Sequence, residues 1–280
     1  MPTQAIYTHP IDELAGLSTV TVQTGSAPTG YGPELLIDHN PAKVAKISAV
    51  TGAWQGQWGA NKAPKVCAVI HHDFDEGADV KIQFDSTPNW TTPAFSQSIV
   101  IPAWKGTGTR RWPTNPWSGD LTLNPSWSGG GWLYWRLVVT GNSQNLQLGQ
   151  IYLSSTLRRI GTPLTKEGGI AFGYAETPKR PVNVNETAYE VQTIYTRGTR
   201  ILSFSGSLRT IDSVMPGFKE QWEDAGGMSE PFLFIPDGTV NEAYYVRWTG
   251  ESRQFTRNFY DQNDLPWDLR EVGRGLRPGN

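Results

Sequence analysis

"LQLGQIYLSS" (146–155) reads as one strand, and "TLRRIGTP" (156–163), directly behind it, reads as the start of something else. Leu146, Leu148 and Ile151 stand among polar neighbours, the alternation of a half-buried strand. The tract that follows, "LRRIGTPLTKEGGIAFGYAETPKRP" (157–181), is more charged, and Gly161-Thr162-Pro163 punctuates it. The stretch therefore reads as the last strand of one unit and the doorway to another. The expected division is a first domain over 1–157 and a second over 158–280. The tryptophans shift across the same line. Nine of the 12 precede residue 136 (Trp54, Trp58, Trp90, Trp104, Trp112, Trp117, Trp127, Trp132 and Trp135), and Trp222, Trp248 and Trp267 follow it.

Working back from 146, the first half is a series of short strands separated by turn residues. "LSTVTVQTG" (17–25), "KVAKISAVTG" (43–52) and "ADVKIQFDST" (78–87) alternate. In the last of these Val80, Ile82 and Phe84 share one face and Lys81, Gln83 and Asp85 the other. "APKVCAVIHHDF" (63–74) is an apolar run suited to a strand buried on both sides. "QSIVIPAW" (97–104) and "GWLYWRLVVTG" (131–141) complete a β-sandwich rhythm. The second half continues in β through "GIAFGYAE" (169–176), "AYEVQTIYTRG" (188–198), "TRILSFSGSLRT" (199–210), "EPFLFIPDG" (230–238), "AYYVRWTG" (243–250) and "RQFTRNFY" (253–260). One short helix is expected over about 211–225, where Ile211, Val214, Met215, Phe218 and Trp222 recur at roughly helical spacing. The tail "REVGRGLRPGN" (270–280) is expected to be exposed and extended. The fold class is mainly β: a jelly-roll sandwich followed by a second β-rich domain with one short helix.

Composition narrows the function. With 280 residues there is chain enough for a sizeable core, and 30 Gly and 20 Pro suit a fold with many turns. A net charge of −2 offers no electrostatic case for nucleic acid. The single cysteine, Cys67, cannot form an intrachain disulfide and reads as a buried small hydrophobe. No run approaches 18 apolar residues, so no helical membrane span is expected. The opening "MPTQAIYTHPIDELAG" has neither the basic nor the apolar region of a signal peptide, so synthesis in a cytosol is expected.

The order "LLIDHNPAKVAKISAVTG…PKVCAVIHHDF…ADVKIQFDST…SIVIPAW…LYWRLVVTG…LQLGQIYL" resembles the galactose-binding-like jelly roll of discoidin and carbohydrate-binding-module type, over about residues 10–155. In that fold the loops at one end carry ligands. Here "GAWQGQWGANKAP" (52–64) and "WKGTGTRRWPTNPWSGDLTLNPSWSGGGW" (104–132) are expected to be long aromatic loops. Aromatic faces stack on apolar sugar faces while polar neighbours fix hydroxyls. Trp54, Trp58, Trp112, Trp117 and Trp127, with Arg110, Arg111 and Asp120, are the candidate carbohydrate-binding set. Such indoles also serve by packing over a sandwich edge, filling the core, or meeting a neighbouring subunit.

The run "ILSFSGSLRTIDSVMPGFKEQWEDAGGMSEPFLFIPDG…YYVRWTG" is similar to β-domains of tailed-bacteriophage tail tips, of distal-tail and minor-tail type. The resemblance implies a virion structural protein, made in the host cytoplasm and located in the tail. Its partners would be its own copies in a ring, other tail proteins and a host surface glycan. "EPFLFIPDG" is expected at or near a sheet edge, a liability that a ring would cover. The alternative is a stand-alone carbohydrate-binding module or lectin.

Nothing in the residues asks for a cofactor, a metal or catalysis. The four histidines (His9, His39, His71 and His72) have no Gly-x-Ser-x-Gly elbow beside them. "HHDFDEGAD" (71–79) lacks zinc spacing and the order of a calcium loop, and reads as a polar turn. No phosphate-cradling or nicotinamide-binding loop is present.

Overall fold

The computed structural model describes residues 6–8, 17–41, 43–103, 114–119, 127, 131–155, 157–159, 171–176, 200–210, 231–236, 241–249, 256–259 and 262–272. After β1 (Ile6–Thr8), the sandwich strands follow: β2 (Leu17–Thr24), β3 (Ala45–Ile47), β4 (Gly52–Lys62), β5 (Val66–His72), β6 (Asp79–Asp85), β7 (Phe95–Ile99), β8 (Trp117–Gly119), β9 (Trp132–Thr140) and β10 (Leu146–Ser154). They pair antiparallel into a five-stranded sheet, β2-β4-β9-β6-β7, and a four-stranded sheet, β3-β10-β5-β8.

Alternation in each strand turns one face inward, and the register lines those faces up across the sheet. Val20, Gly56, Trp135, Phe84 and Phe95 form one inner row of the five-stranded sheet, and Val22, Trp54, Leu137 and Ile82 the next. Cys67, Val69, Leu146, Leu148, Ile151 and Leu153 of the other sheet close the same core. Cys67 is buried, as its reading required.

β5 is buried on both faces. Its odd-numbered Cys67 and Val69 meet the sandwich core, while Val66, Ala68 and Ile70 join Trp117, Tyr152, Leu233, Ile235, Ala243 and Tyr245 in a second cluster. The four-stranded sheet is thus the middle of three layers. The third layer is built from β11 (Leu157–Arg159), β12 (Ala171–Glu176), β13 (Arg200–Thr210), β14 (Phe232–Ile235), β15 (Tyr244–Trp248), β16 (Thr256–Phe259) and β17 (Gln262–Glu271). Its order is β11-β1-β14-β15-β17-β13-β12, with β16 also on β17. β1 therefore lies in this sheet, between β11 and β14, and not in the sandwich.

Three expectations are corrected. "GAWQGQWGANKAP" is no loop: Gly52–Lys62 is the long strand β4, inside its sheet between β2 and β9. Trp54 and Trp58 are spaced by four with Gly56 between them, which is period two on the inner face. "EPFLFIPDG" is held away from the edge, since β14 has β1 on one side and β15 on the other, and its four residues are buried. The first residues of the expected exposed tail lie in a sheet. Arg270 and Glu271 belong to β17, and the Val272 amide donates to the Tyr245 carbonyl at 2.8 Å. The expected helix over about 211–225 and the strand over 188–198 lie outside the described residues.

The spacing of the opening stretch, two residues from Leu146 to Leu148 and then three from Leu148 to Ile151, also has a cause. Gly149 lies between the paired positions Leu148–His72 and Gln150–Ile70, beside His71. His71 has φ +56°, and its amide donates to the Asn115 side chain at 3.0 Å. A Cβ on Gly149 would come within 2.5 Å of the Pro41 carbonyl oxygen and 3.0 Å of the His71 Cβ. The strand changes phase at this close approach, and only glycine fits it.

Candidate functional site

The outer face of the five-stranded sheet carries a polar row. Thr21, Gln55, Arg136, Gln83 and Ser96 stand side by side on β2, β4, β9, β6 and β7. Their strand neighbours Trp54, Trp135, Leu137, Ile82 and Phe84 all face the core, so alternation obliges these five to face outward.

The hairpin loop between β6 and β7 folds back over this row. Asp85 holds both of its ends, accepting from the Thr87 amide and hydroxyl and from the Ala94 amide at 3.0–3.3 Å. These bonds, that to the Thr87 amide foremost, keep the Asp85 carboxyl below its ordinary range. The Thr91 amide donates to the Asn89 side chain at 3.3 Å, and Pro88 and Pro93 stiffen the turn. At the apex, Trp90 donates its indole N–H to Gln55 Oε1 at 3.0 Å and lies 4.9 Å above the Arg136 guanidinium. The indole stays partly exposed. Two anchors fix its plane, a hydrogen bond at one edge and a cation beneath.

Arg136 is fixed in turn. Its Nε and Nη2 both donate to Gln83 Oε1, at 2.9 and 2.6 Å. Nη1 reaches Gln23 Oε1 and Nη2 the Trp90 carbonyl, each at 3.4 Å. Partial burial lowers the guanidinium's pKa from its ordinary value. The result is a flat platform of one aromatic ring, one cation and a fringe of amides, on a rigid sheet.

The expected set lies elsewhere. Trp54, Trp58, Trp117 and Trp127 are buried, at 0%, 1%, 4% and 3% exposure, so none offers a ring face to a ligand. Trp54 and Trp58 belong to the sandwich core, and Trp127 packs edge-on against Phe84 and Phe95 at 5.9 and 5.1 Å. Trp117 joins the cluster between the four-stranded sheet and the third sheet. Arg110, Arg111, Trp112 and Asp120 lie outside the described residues. Trp90 and Arg136 were visible in the sequence as a Trp between two prolines and as the arginine of "WRLVV". Their meeting depends on strand register.

"HHDFDEGAD" behaves as a polar brace. His72, 1% exposed, donates from Nε2 to the Thr114 carbonyl at 2.8 Å, and its Nδ1 accepts from the Phe74 amide at 3.0 Å. Burial above all holds its pKa down to about 4. Asp73 accepts from the Gln147 amide at 2.8 Å, and Asp75 accepts from the Ser143 amide. Among the described residues no group of three His, Cys, Asp or Glu is placed to hold a metal, and no helix is long and apolar enough to cross a membrane.

No family model matches the chain, and no curated protein matches it. Solved structures similar to parts of it do exist. A Streptococcus pneumoniae fucose binding module is 10% identical with a TM-score of 0.35, covering 51% of this chain and 97% of that one. A chitosan-binding module from a Paenibacillus sp. IK-5 chitosanase/glucanase is 11% identical with a TM-score of 0.36, covering 51% and 98%. SpGH29 is 14% identical with a TM-score of 0.36, and the match covers 52% of this chain but only 28% of SpGH29. At these TM-scores nothing about ligands passes from those proteins to this one.

Proposed function

We propose that the chain is a non-catalytic glycan-binding protein that holds its ligand against the Trp90–Arg136 platform. The observation that supports this is the stacked pair itself. A part-exposed indole is locked by Gln55 at its edge and by a guanidinium beneath it. Pyranose rings present apolar C–H faces and hydroxyl rims, and a fixed aromatic plane ringed by amides complements both. Rigid anchors lower the ordering cost of binding. Arg110, Arg111, Trp112 and Asp120, outside the described residues, are proposed as a second contact set. A glycan array with the full chain tests the reading. Trp90→Ala should lose binding with its melting transition retained, and Trp112→Ala reports on the second set. Undiminished binding by Trp90→Ala would take the platform out of the reading.

A second reading places the protein in a phage tail tip, as a ring-forming structural component with the glycan face outward. Its support is the resemblance over "ILSFSGSLRT…YYVRWTG" and the position of β12, which among the described residues has a partner strand on one side only. An open strand edge is a template for a neighbouring copy. Size-exclusion chromatography with light scattering separates a ring from a monomer.

A further inference from the structure

We propose that the ligand of this platform is an acidic glycan whose carboxylate or sulfate is taken end-on by Arg136. The inference rests on the glycan-binding reading above and names the ligand's chemical class.

Arg136 is a partly buried cation whose contacts are all neutral: the Gln83 and Gln23 amide oxygens, the Trp90 carbonyl and the Trp90 ring. Among the described residues it forms no ion pair. The carboxylates on the same strand as Gln83 are committed elsewhere. Asp85, two residues along, is engaged by Thr87 and Ala94, and Asp79 binds Lys81 at 2.6 Å. Withdrawing a guanidinium from water without a counter-charge is costly, and an anionic ligand relieves that cost.

The two edges of the guanidinium are held unequally. The Nε–Nη2 edge is gripped by Gln83 at 2.9 and 2.6 Å, which sets the orientation. The Nη1–Nη2 end has only the two 3.4 Å contacts, near the limit of a hydrogen bond. One of those acceptors, Gln23, is an exposed side chain on β2, at the rim of the sheet. An anion approaching over β2 would displace it and gain two parallel charge-assisted bonds, the geometry for which a planar guanidinium is suited. Trp90 then stacks the sugar ring that carries the anion.

The test is an array pairing uronate oligosaccharides with their methyl esters, and sulfated oligosaccharides with their desulfated forms. The full chain should prefer the acidic member of at least one pair by about tenfold, the low end for a hydrogen bond to a charged group. The pair that responds separates carboxylate from sulfate. Arg136→Gln should weaken binding of both members, since the Trp90 ring loses the cation beneath it, and bring their ratio close to one, and Arg136→Lys should fall between. Position 136 lies on the outer face, so unchanged melting certifies each variant. Equal binding of acidic and neutral members by the unmodified chain, or a ratio that survives Arg136→Gln, overturns this inference and leaves the glycan reading standing. Binding to no member of any pair overturns both.

Discussion

Gly56 on β4 stands directly opposite Trp135 on β9, and a Cβ placed on Gly56 would lie 2.4 Å from the Trp135 indole nitrogen. The inner row has no side chain at position 56 because the indole fills that space. Gly56→Ala should therefore destabilise the sandwich by about 1–3 kcal/mol, the cost of overpacking a closed core. Urea unfolding measures it. A neutral or stabilising result would mean that Trp135 can move aside.

The buried indoles give a contrasting prediction. Trp54→Ala and Trp127→Ala each empty a large core volume and should cost about 3–5 kcal/mol. Their losses should appear in denaturation midpoints, and any variant that folds should bind as the unmodified chain does. A selective loss of binding without loss of stability would return these residues to a ligand site.

The loop that carries Trp90 depends on Asp85. Asp85→Asn keeps one acceptor oxygen for the two amides that Asp85 now serves with two, and should release the Ala94 amide. Hydrogen exchange at Ala94 should quicken while the amides of β6 stay protected. The folded pKa of Asp85 is depressed below 3.8. Its contribution is full above that value and is lost as pH falls through the folded pKa. Ala94 exchange unaltered in Asp85→Asn would show that the prolines alone hold the loop.

Two neighbours should pull stability in opposite directions with pH. His72 has its pKa lowered from 6.5 to about 4, so the unfolded chain takes the proton first. The stability from its neutral form is full above 6.5 and is lost as pH falls toward 4. Asp73 has its pKa raised from 3.8 to about 6, mainly by burial, so the folded chain takes the proton first. Its effect is most favourable below 3.8 and is lost as pH rises toward 6. Between pH 4 and 6 the two slopes oppose. Asp73→Asn should unmask His72, so that stability relative to the unmodified chain falls on acidification. The slope is at most about 1.4 kcal/mol per pH unit for a buried group and smaller for Asp73, which keeps some solvent contact. Parallel pH profiles for the two proteins would refute this assignment.

Tyr245 couples the middle layer to the third sheet. Its hydroxyl accepts from Gln150 Nε2 at 3.0 Å and lies 3.4 Å from His39 Nδ1. Gln150 is fully buried, and among the described residues its Oε1 has no hydrogen-bond partner. Tyr245→Phe would leave both ends of that amide without a partner, at a cost of about 1–3 kcal/mol. Denaturant unfolding of the full chain checks it.

What could be read in the residues follows from what a strand pattern records. Alternation in "ADVKIQFDST" located β6 and its inward face, and the apolar run at 66–70 declared a strand covered on both sides. The same logic applies to Ala53-Trp54-Gln55-Gly56-Gln57-Trp58, but the glycines and the tryptophan count suggest a loop when the pattern is not followed through Gly56. β17 was hidden by Pro266, which demotes a strand by the usual rule. It is tolerated because β16 pairs β17 only as far as Asp264 and β15 only from Leu269, while β13 flanks Pro266 on one side. The site was less legible. Gln55, Arg136 and Gln83 are far apart in the chain, and only register makes them neighbours.

The place of β1 constrains how this chain can be made. Residues 17–154 are contiguous and can close their sandwich while the rest is still being synthesised. Ile6–Thr8 must wait for Phe234 and Ile235, more than two hundred residues later, before its backbone finds both neighbours. The strand over Ile6–Thr8 therefore stays without its second neighbour until Phe232–Ile235 has been synthesised.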